Sequence, residues 1–233
     1  QNQNWIGPPG CSLAEATFVP PPVPEMTTAL NDWERFLHEA KDIPPLVQCA
    51  LMHYQFEVIH PFLDGNGRVG RLLITFFLCE RGHLPQPLLY LSAFFERYRD
   101  EYYARLLEVS RSGDWRGWIQ FFLRGLATQA SDAAANSQRV VALQQHYREQ
   151  LLKHKSTPTA LAIADELFIN PYVTANRLAK RLRSSFPTVQ AAIYQMVQVG
   201  ILREVTGRKR NRIYCAEELL RTIEGREERA RGA

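Results

Sequence analysis

The chain has 233 residues, 45% hydrophobic and 22% charged, with 28 Lys/Arg against 24 Asp/Glu and a formal charge of +4. That composition excludes wholesale disorder, and a compact chain of this length buries roughly 70% of the surface it exposes unfolded, enough for one core or two small ones. Unbroken apolar runs such as Phe76-Phe77-Leu78-Cys79 fall far short of the ~20 residues that span a bilayer, so no membrane segment is expected. Cys11, Cys49, Cys79 and Cys215 form no Cys-x-x-Cys pair. This argues against a zinc site or a disulfide framework and for reduced thiols in the cytoplasm. No signal-peptide pattern opens the chain. It begins at Gln1 without an initiator Met, so removal of upstream residues is expected. Charge is uneven: Arg177 to Ala233 holds 13 Lys/Arg against 6 Asp/Glu, net +7, and the first 176 residues hold the remaining 15 and 18, net −3. An acidic and a basic module with different partners follow from that split.

In chain order, residues 1 to about 30 are Pro-rich and read as irregular, with a short strand expected over Ser12 to Val19. Helical pattern begins at Leu30, where Trp33, Phe36 and Leu37 share a face, and Pro44-Pro45 ends that element. Leu46, Val47, Ala50, Leu51, Tyr54 and Val58 then recur at helical spacing, and the helix should stop near His60 because Pro61 follows. The next helix runs from about Arg68 to Gly82 as C-cap, followed by Ser92 to Ser110 and by Asp114 (N-cap) to about Ala130. Residues 131–157 read as a connecting helix on the period of Val140, Leu143, Tyr147 and Leu151. After Pro158 come helical stretches at Ala160 to Phe168, Thr174 to Leu182 and Pro187 to Val199, with Gly200 as C-cap. Two β-type runs follow, Ile201 to Val205 and Arg212 to Tyr214.

One segment carries chemistry: His60-Pro61-Phe62-Leu63-Asp64-Gly65-Asn66-Gly67-Arg68-Val69-Gly70-Arg71. Gly65 and Gly67 around Asn66 let successive N–H groups converge as an anion nest at a helix N-terminus. Arg68 and Arg71 lie three apart on one helix face and can reach further phosphate oxygens. Asp64 is a carboxylate suited to Mg2+, and His60 a base titrating near neutrality. Together they fit in-line attack at phosphorus. No Gly-x-x-x-x-Gly-Lys-Ser/Thr P-loop is present, and His53, His60 and Asp64 lack the spacing of a metal site.

At every fixed position this segment resembles the Fic signature His-Pro-Phe-x-Asp/Glu-Gly-Asn-Gly-Arg-x-x-Arg. The likeness continues through Asn4-Trp5-Ile6-Gly7, Phe18 to Pro22, Leu89-Tyr90-Leu91-Ser92, Phe95-Glu96-Arg97, Tyr102-Tyr103 and Gly113-Asp114-Trp115, covering roughly residues 1 to 130. The resemblance implies a mainly α fold, a Fic-type helical bundle with a small β-hairpin flap. It also implies transfer of AMP from ATP to a Tyr, Thr or Ser hydroxyl of a target protein, with release of pyrophosphate. By position, His60 becomes the general base and Asp64 the Mg2+ ligand. Gly65, Asn66 and Gly67 hold the α- and β-phosphates, Arg68 and Arg71 the β/γ side. Val69 and Gly70 complete the nucleotide-binding segment, and Tyr102 and Tyr103 lie near the adenosine. Leu13, Ala14, Glu15, Ala16 and Thr17 match the flap, which pairs with the target peptide as an added strand. Gly67 stands where relatives that act as kinases carry Lys, which favours adenylylation. The family's inhibitory Ser/Thr-x-x-x-Glu-Gly/Asn helix has no match here, since Ser92 to Glu96 is followed by Arg97. Related architectures place it upstream of residue 1, so this chain is expected to lack self-inhibition through Arg71.

The basic module reads as a winged helix-turn-helix over 158–225, with a charged tail at 226–233. Pro187 to Val199 sits where a recognition helix would, and Arg203, Arg208, Lys209, Arg210 and Arg212 charge the wing. DNA contact, docking of the target and self-association as a homodimer stay open for it. Two alternatives stand beside AMP transfer: a nucleotide-sensing DNA-binding regulator, and a de-AMPylating enzyme of the same family. An intact His60 argues against the first, and the missing inhibitory Glu against the second.

Overall fold

Proline sets where the first helices begin. In the computed structural model, which describes residues 3–8, 10–40, 42–87, 89–208 and 210–224, α1 spans Val23–Glu39 and α2 spans Pro45–Ile59, each with Pro in its first turn. A helix leaves its first N–H groups unpaired, so Pro costs nothing there. The Pro-rich stretch therefore enters a helix seven residues before the Leu30 expected from the sequence. Lys209 and the tail 226–233 lie outside the described residues.

Contacts divide the chain into two units, 1–133 and 134–233. In the first, α3 (Asn66–Glu80), α4 (Leu91–Arg97), α5 (Arg99–Ser112) and the start of α6 (Trp115–Lys153) follow α2. The core joins Met52, Ile74, Phe94, Phe95, Trp118 and Phe122, with Trp33, Phe36 and Leu37 of α1 packed against it. The expected helix from Ser92 to Ser110 is broken at Tyr98, whose φ of −113° and ψ of 40° leave the helical region while its ring packs 4.7 Å from Phe94. α2 is buried on almost every side rather than on one stripe: Gln48, Cys49, Met52, His53, Tyr54, Phe56 and Ile59 are all inside. Gln48 donates to the Phe36 and Leu37 carbonyls at 2.9 and 3.2 Å, closing the C-terminal end of α1.

Among the described residues the strand expected over Ser12 to Val19 does not form, and the flap hairpin is reduced to one antiparallel bridge. Leu13–Glu15 is a 3-10 turn, held by the Ser12 N–H and hydroxyl donating to the Glu15 carboxylate at 2.9 and 2.8 Å. A single antiparallel bridge, Ile6 to Phe18, ties its base, with the Ile6 N–H donating to the Phe18 carbonyl at 2.9 Å. Local side-chain bonds from Ser and Glu outcompete the ladder over so short a run.

In the second unit, residues 134–153 of α6 precede α7 (Pro158–Leu167), β1 (Tyr172–Val173), α8 (Ala175–Arg181), α9 (Phe186–Gln198), β2 (Arg203–Glu204), β3 (Tyr214–Cys215) and α10 (Glu217–Glu224). The helix expected to end near Ala130 and the connecting helix are thus one element. Leu143, Tyr147 and Leu151 of that element belong to the second core, with Ile163, Leu167, Leu178, Ile193, Met196 and Leu219. The sheet is antiparallel in the order β1-β3-β2, with Tyr172 opposite Cys215 and Glu204 opposite Tyr214. β1 and α10 were not foreseen from the sequence. A two-residue strand shows no period, and its place is set by the pairing alone.

Candidate active site

The loop between α2 and α3 is built to hold an awkward backbone. His60 ends α2 in the left-handed region, φ 49° and ψ 57°, and Gly65 opens α3 at φ 87°. A glycine takes that conformation freely; a bulky residue such as His adopts it only where the surroundings hold it. The holding groups are visible. Asn66, 2% exposed, accepts from the Phe62 N–H at 2.9 Å and donates to the Phe62 carbonyl at 2.6 Å. Asn4 donates to the carbonyls of His60 and Phe62 at 3.1 and 2.9 Å. The Asn66 side chain is therefore committed to the loop, and what it can offer a ligand is its backbone N–H.

No side chain caps α3, so the N–H groups of its first turn face outward from Gly65. Arg68 stands exposed over this end, paired with Asp64 at 2.9 Å; both side chains are largely in water. Arg71, one turn on, is half-buried, and its Nη1 lies 2.9 Å from where a Cβ on Gly67 would stand. Any side chain at residue 67 would displace that guanidinium. Val69 is half-buried with its N–H in the first helical bond, to Gly65 at 3.0 Å. Gly70 faces α2 rather than the nest: a Cβ there would meet Glu57 Oε1 at 2.5 Å and His53 and Phe56 at 3.2 Å.

His60 is half-buried and its Nδ1 lies 3.2 Å from the Glu57 carbonyl. With Nδ1–H donating there, Nε2 is left as an acceptor. Burial lowers the His60 pKa below its usual value, opposed in part by that hydrogen bond, so the ring is neutral at pH 7.

Two cavities of about 480 and 500 Å3 share Arg71, Arg99, Tyr102 and Tyr103. Arg68, Ser92 and Glu96 line the first; His60, Gly67, Glu57 and the flap's Thr17 line the second. The structure thus brings Thr17, His60, Gly67 and Arg71 to one cavity, while Leu13, Ala14 and Glu15 of the turn are exposed away from its lining. Tyr103 is half-exposed. Tyr102 is 4% exposed, its hydroxyl 3.0 Å from His53 Nε2 and its ring stacked on Phe95. Glu57 and Arg99 were missed in the sequence. The signal for Glu57 was a lone carboxylate inside the apolar run Phe56 to Ile59, one turn before His60.

On the basic module, Arg203 pairs with Glu217, and Arg212 donates to the Arg208 carbonyl at 2.9 Å while reaching Tyr194 Oη at 3.5 Å. Arg210, Asn211 and Arg212 border a cavity of about 550 Å3 with Phe186, Gln190 and Tyr194 of α9.

An uncapped helix end flanked by two arginines, with a neutral imidazole at the far end of the same loop, is suited to an anionic group and a proton. Residues 6–78 match the model of the Fic/DOC family. A "protein adenylyltransferase Fic" of Drosophila yakuba is 32% identical over 105 residues, 44% of this chain and 20% of that protein. A "probable protein adenylyltransferase" of Aquifex aeolicus is 44% identical over 72 residues, 30% of this chain and 22% of that protein. The match thus spans about a fifth of the length of these curated relatives. A Fic family protein from Desulfovibrio desulfuricans G20 aligns with 84% of this chain and 56% of its own, at 23% identity and a TM-score of 0.49. Among the described residues no helix is long and apolar enough to cross a membrane.

Proposed function

We propose that this protein transfers AMP from ATP to a hydroxyl of a target protein. The observation that carries the reading is the bare N-terminus of α3 beside Arg68 and Arg71, with His60 Nε2 free on the same loop. Three backbone N–H groups and two guanidinium groups suit a polyphosphate. His60 takes the proton of the target hydroxyl, whose oxygen bonds to the α-phosphorus. The bond from that phosphorus to the bridging oxygen breaks, and pyrophosphate leaves against Arg68 and Arg71. Tyr103 and the cavity it borders are the place for the nucleoside, and Thr17 beside His60 is where the target chain would pass.

Mg2+ fits the donor set on offer. Among the described residues no group of three ligands could hold a metal, but this cation takes one or two carboxylates and completes its shell with water and substrate phosphates. Asp64, exposed at the mouth of the nest, would hold it, and its charge would offset that of the phosphates.

ATP labelled at the α-phosphate should label protein targets while γ-labelled ATP does not. His60→Ala should lower that transfer at least about a hundredfold with ATP binding kept. Full transfer by the variant removes His60 from the reaction, and labelling from the γ-position makes the protein a kinase.

A second reading concerns the basic unit, which we read as a winged helix that contacts nucleic acid. Phe186 and Tyr194 are exposed on α9 beside Arg210 and Arg212, with the half-buried Gln190 between them, and basic side chains interleaved with aromatic ones suit phosphates and bases. Binding of a duplex should weaken steeply with salt, and Arg210→Ala with Arg212→Ala should reduce that slope. Salt-independent binding, or none, leaves this unit to protein docking.

A further inference from the structure

Arg99 stands where the two cavities of the first unit meet. The cavity that holds His60 and Gly67 has mostly apolar walls, among them Ile6, Phe18, Val58 and Leu106. The other is lined by Arg68, Arg71 and Arg99 against a single carboxylate, Glu96. Arg71 and Arg99 border both. A ligand with one apolar end and one strongly anionic end fits that division, its two ends lying on either side of the arginines.

The position is an unfavourable one for a cation. Arg99 opens α5, directly after the break at Tyr98. The positive end of a helix dipole repels a guanidinium and favours a carboxylate there. Asp100 and Glu101 follow in the same turn, but Glu101 pairs with Arg105 and Arg124. Among the described residues no carboxylate lies within ion-pair distance of Arg99, whose guanidinium stands exposed over the Tyr103 ring at 5.8 Å. Arg97, two residues earlier, is also exposed and stacks on Tyr98 at 5.6 Å, yet it lines neither cavity. The break at Tyr98 thus separates an arginine that faces solvent from one set beside Arg68 and Arg71 without a counter-charge.

We propose that Arg99 is the third arginine of the polyphosphate site and binds the terminal phosphate of a nucleoside triphosphate, so that the chain selects a triphosphate over a diphosphate or monophosphate. The direction in which the phosphates run follows from the AMP-transfer reading above. The nucleoside lies in the apolar cavity, the α-phosphorus beside His60 and the nest, and the two outer phosphates toward Arg68, Arg71 and Arg99. A guanidinium suits that place because its planar fork can take two phosphate oxygens at once, which a lysine ammonium cannot match.

The test is equilibrium binding of ATP, ADP and AMP, each with Mg2+, to the wild type, Arg99→Ala, Arg99→Lys and Arg97→Ala, with a thermal melt of each protein. The wild type should bind ATP more tightly than ADP. Arg99→Ala should weaken ATP about tenfold, the size of one charge-assisted hydrogen bond, and leave AMP unchanged, so that the preference for a third phosphate disappears. Arg99→Lys should recover part of that preference. Arg97→Ala removes the same net charge and should bind all three as the wild type does. The Arg99→Ala melt should not fall, since a helix loses nothing when a cation leaves its N-terminus; if it falls, Arg99→Lys against the wild type decides by the same comparison. No preference for ATP in the wild type, equal losses for ATP and AMP, an unaltered Arg99→Ala, or the same loss in Arg97→Ala overturns the proposal. If the preference depends on Arg99 but the wild type transfers no α-label, the phosphate contact stands and the AMP-transfer reading alone falls.

Discussion

In the second unit, α7, α8 and α9 open on Thr157, Thr174 and Ser185, each accepting from the backbone N–H three residues on. In the first, α3 opens on Gly65 with nothing over its end. The cores differ in the same sense. Beneath the second unit's helices the buried residues are almost all apolar, although Asn136 Oδ1 and Tyr147 Oη lack partners there, whereas the first buries Gln48, His53 and Asn66 and leaves atoms of the ionisable His53, Glu57 and Arg71 unsatisfied. Capping and apolar packing serve stability; bare N–H groups and buried charge serve a ligand and are kept at a cost in stability. The difference supports the proposal that puts the chemistry in the first unit.

Acid is the strongest way to separate the two. All four tryptophans, Trp5, Trp33, Trp115 and Trp118, lie in the first unit, so their emission reports it by itself. His53 is neutral in the fold down to about pH 3, against an ordinary value of 6.5, so the unfolded chain takes up its proton first. Its contribution is fully present above pH 6.5 and is lost as pH falls toward 3, on the order of a few kcal/mol. Glu57 acts in the opposite sense. Raised from 4.5 to about 7, its contribution is present below pH 4.5 and lost as pH climbs to 7. Thermal melts followed by tryptophan should lose their acid limb in His53→Gln and their decline toward pH 7 in Glu57→Gln. Unchanged limbs would remove the buried polar cluster as the source of the contrast.

Glycines separate the units next. Gly70→Ala drives a methyl into Glu57, His53 and Phe56 and should cost about 1–3 kcal/mol in chemical denaturation. Gly200→Ala meets nothing within 4 Å but must adopt φ 83°, so about 1–2 kcal/mol of strain is expected. Equal and negligible losses would mean that α3 can move away from α2.

Removing a cap is a smaller change. Thr174→Ala should cost about 1 kcal/mol, read from the denaturation midpoint by circular dichroism. The smallest stability effect belongs to Asp64→Asn. The exposed pair with Arg68 is worth about 0–1 kcal/mol, yet α-label transfer should fall sharply. A variant that melts early while transferring normally would reverse the roles assigned to cap and nest.

Much of this was legible without coordinates. The ends of α2 and α3 follow from Pro61 and Gly65, and the juxtaposition of His60, the nest, Arg68 and Arg71 follows from their closeness in the chain. Helix period placed α7, α8 and α9 to within about two residues. Local rules failed where partners were distant or a bond was strictly local. The flap turned on Ser12 and Glu15, Tyr98 broke a helix that carries no breaker, and β1 exists because β3 lies beside it.

The sequence by itself determined the loop, its glycines, its base and its arginines, because backbone freedom and helix dipoles act over a few residues. Only the tertiary structure decided what surrounds them. It put Asn66 to work on the loop, drew Tyr102 into the core and brought Glu57 from an apparently ordinary helix position to the cavity that His60 and Arg71 also line. Burial is a property of packing between elements, and burial is what makes a carboxylate one turn from His60 titrate near neutrality.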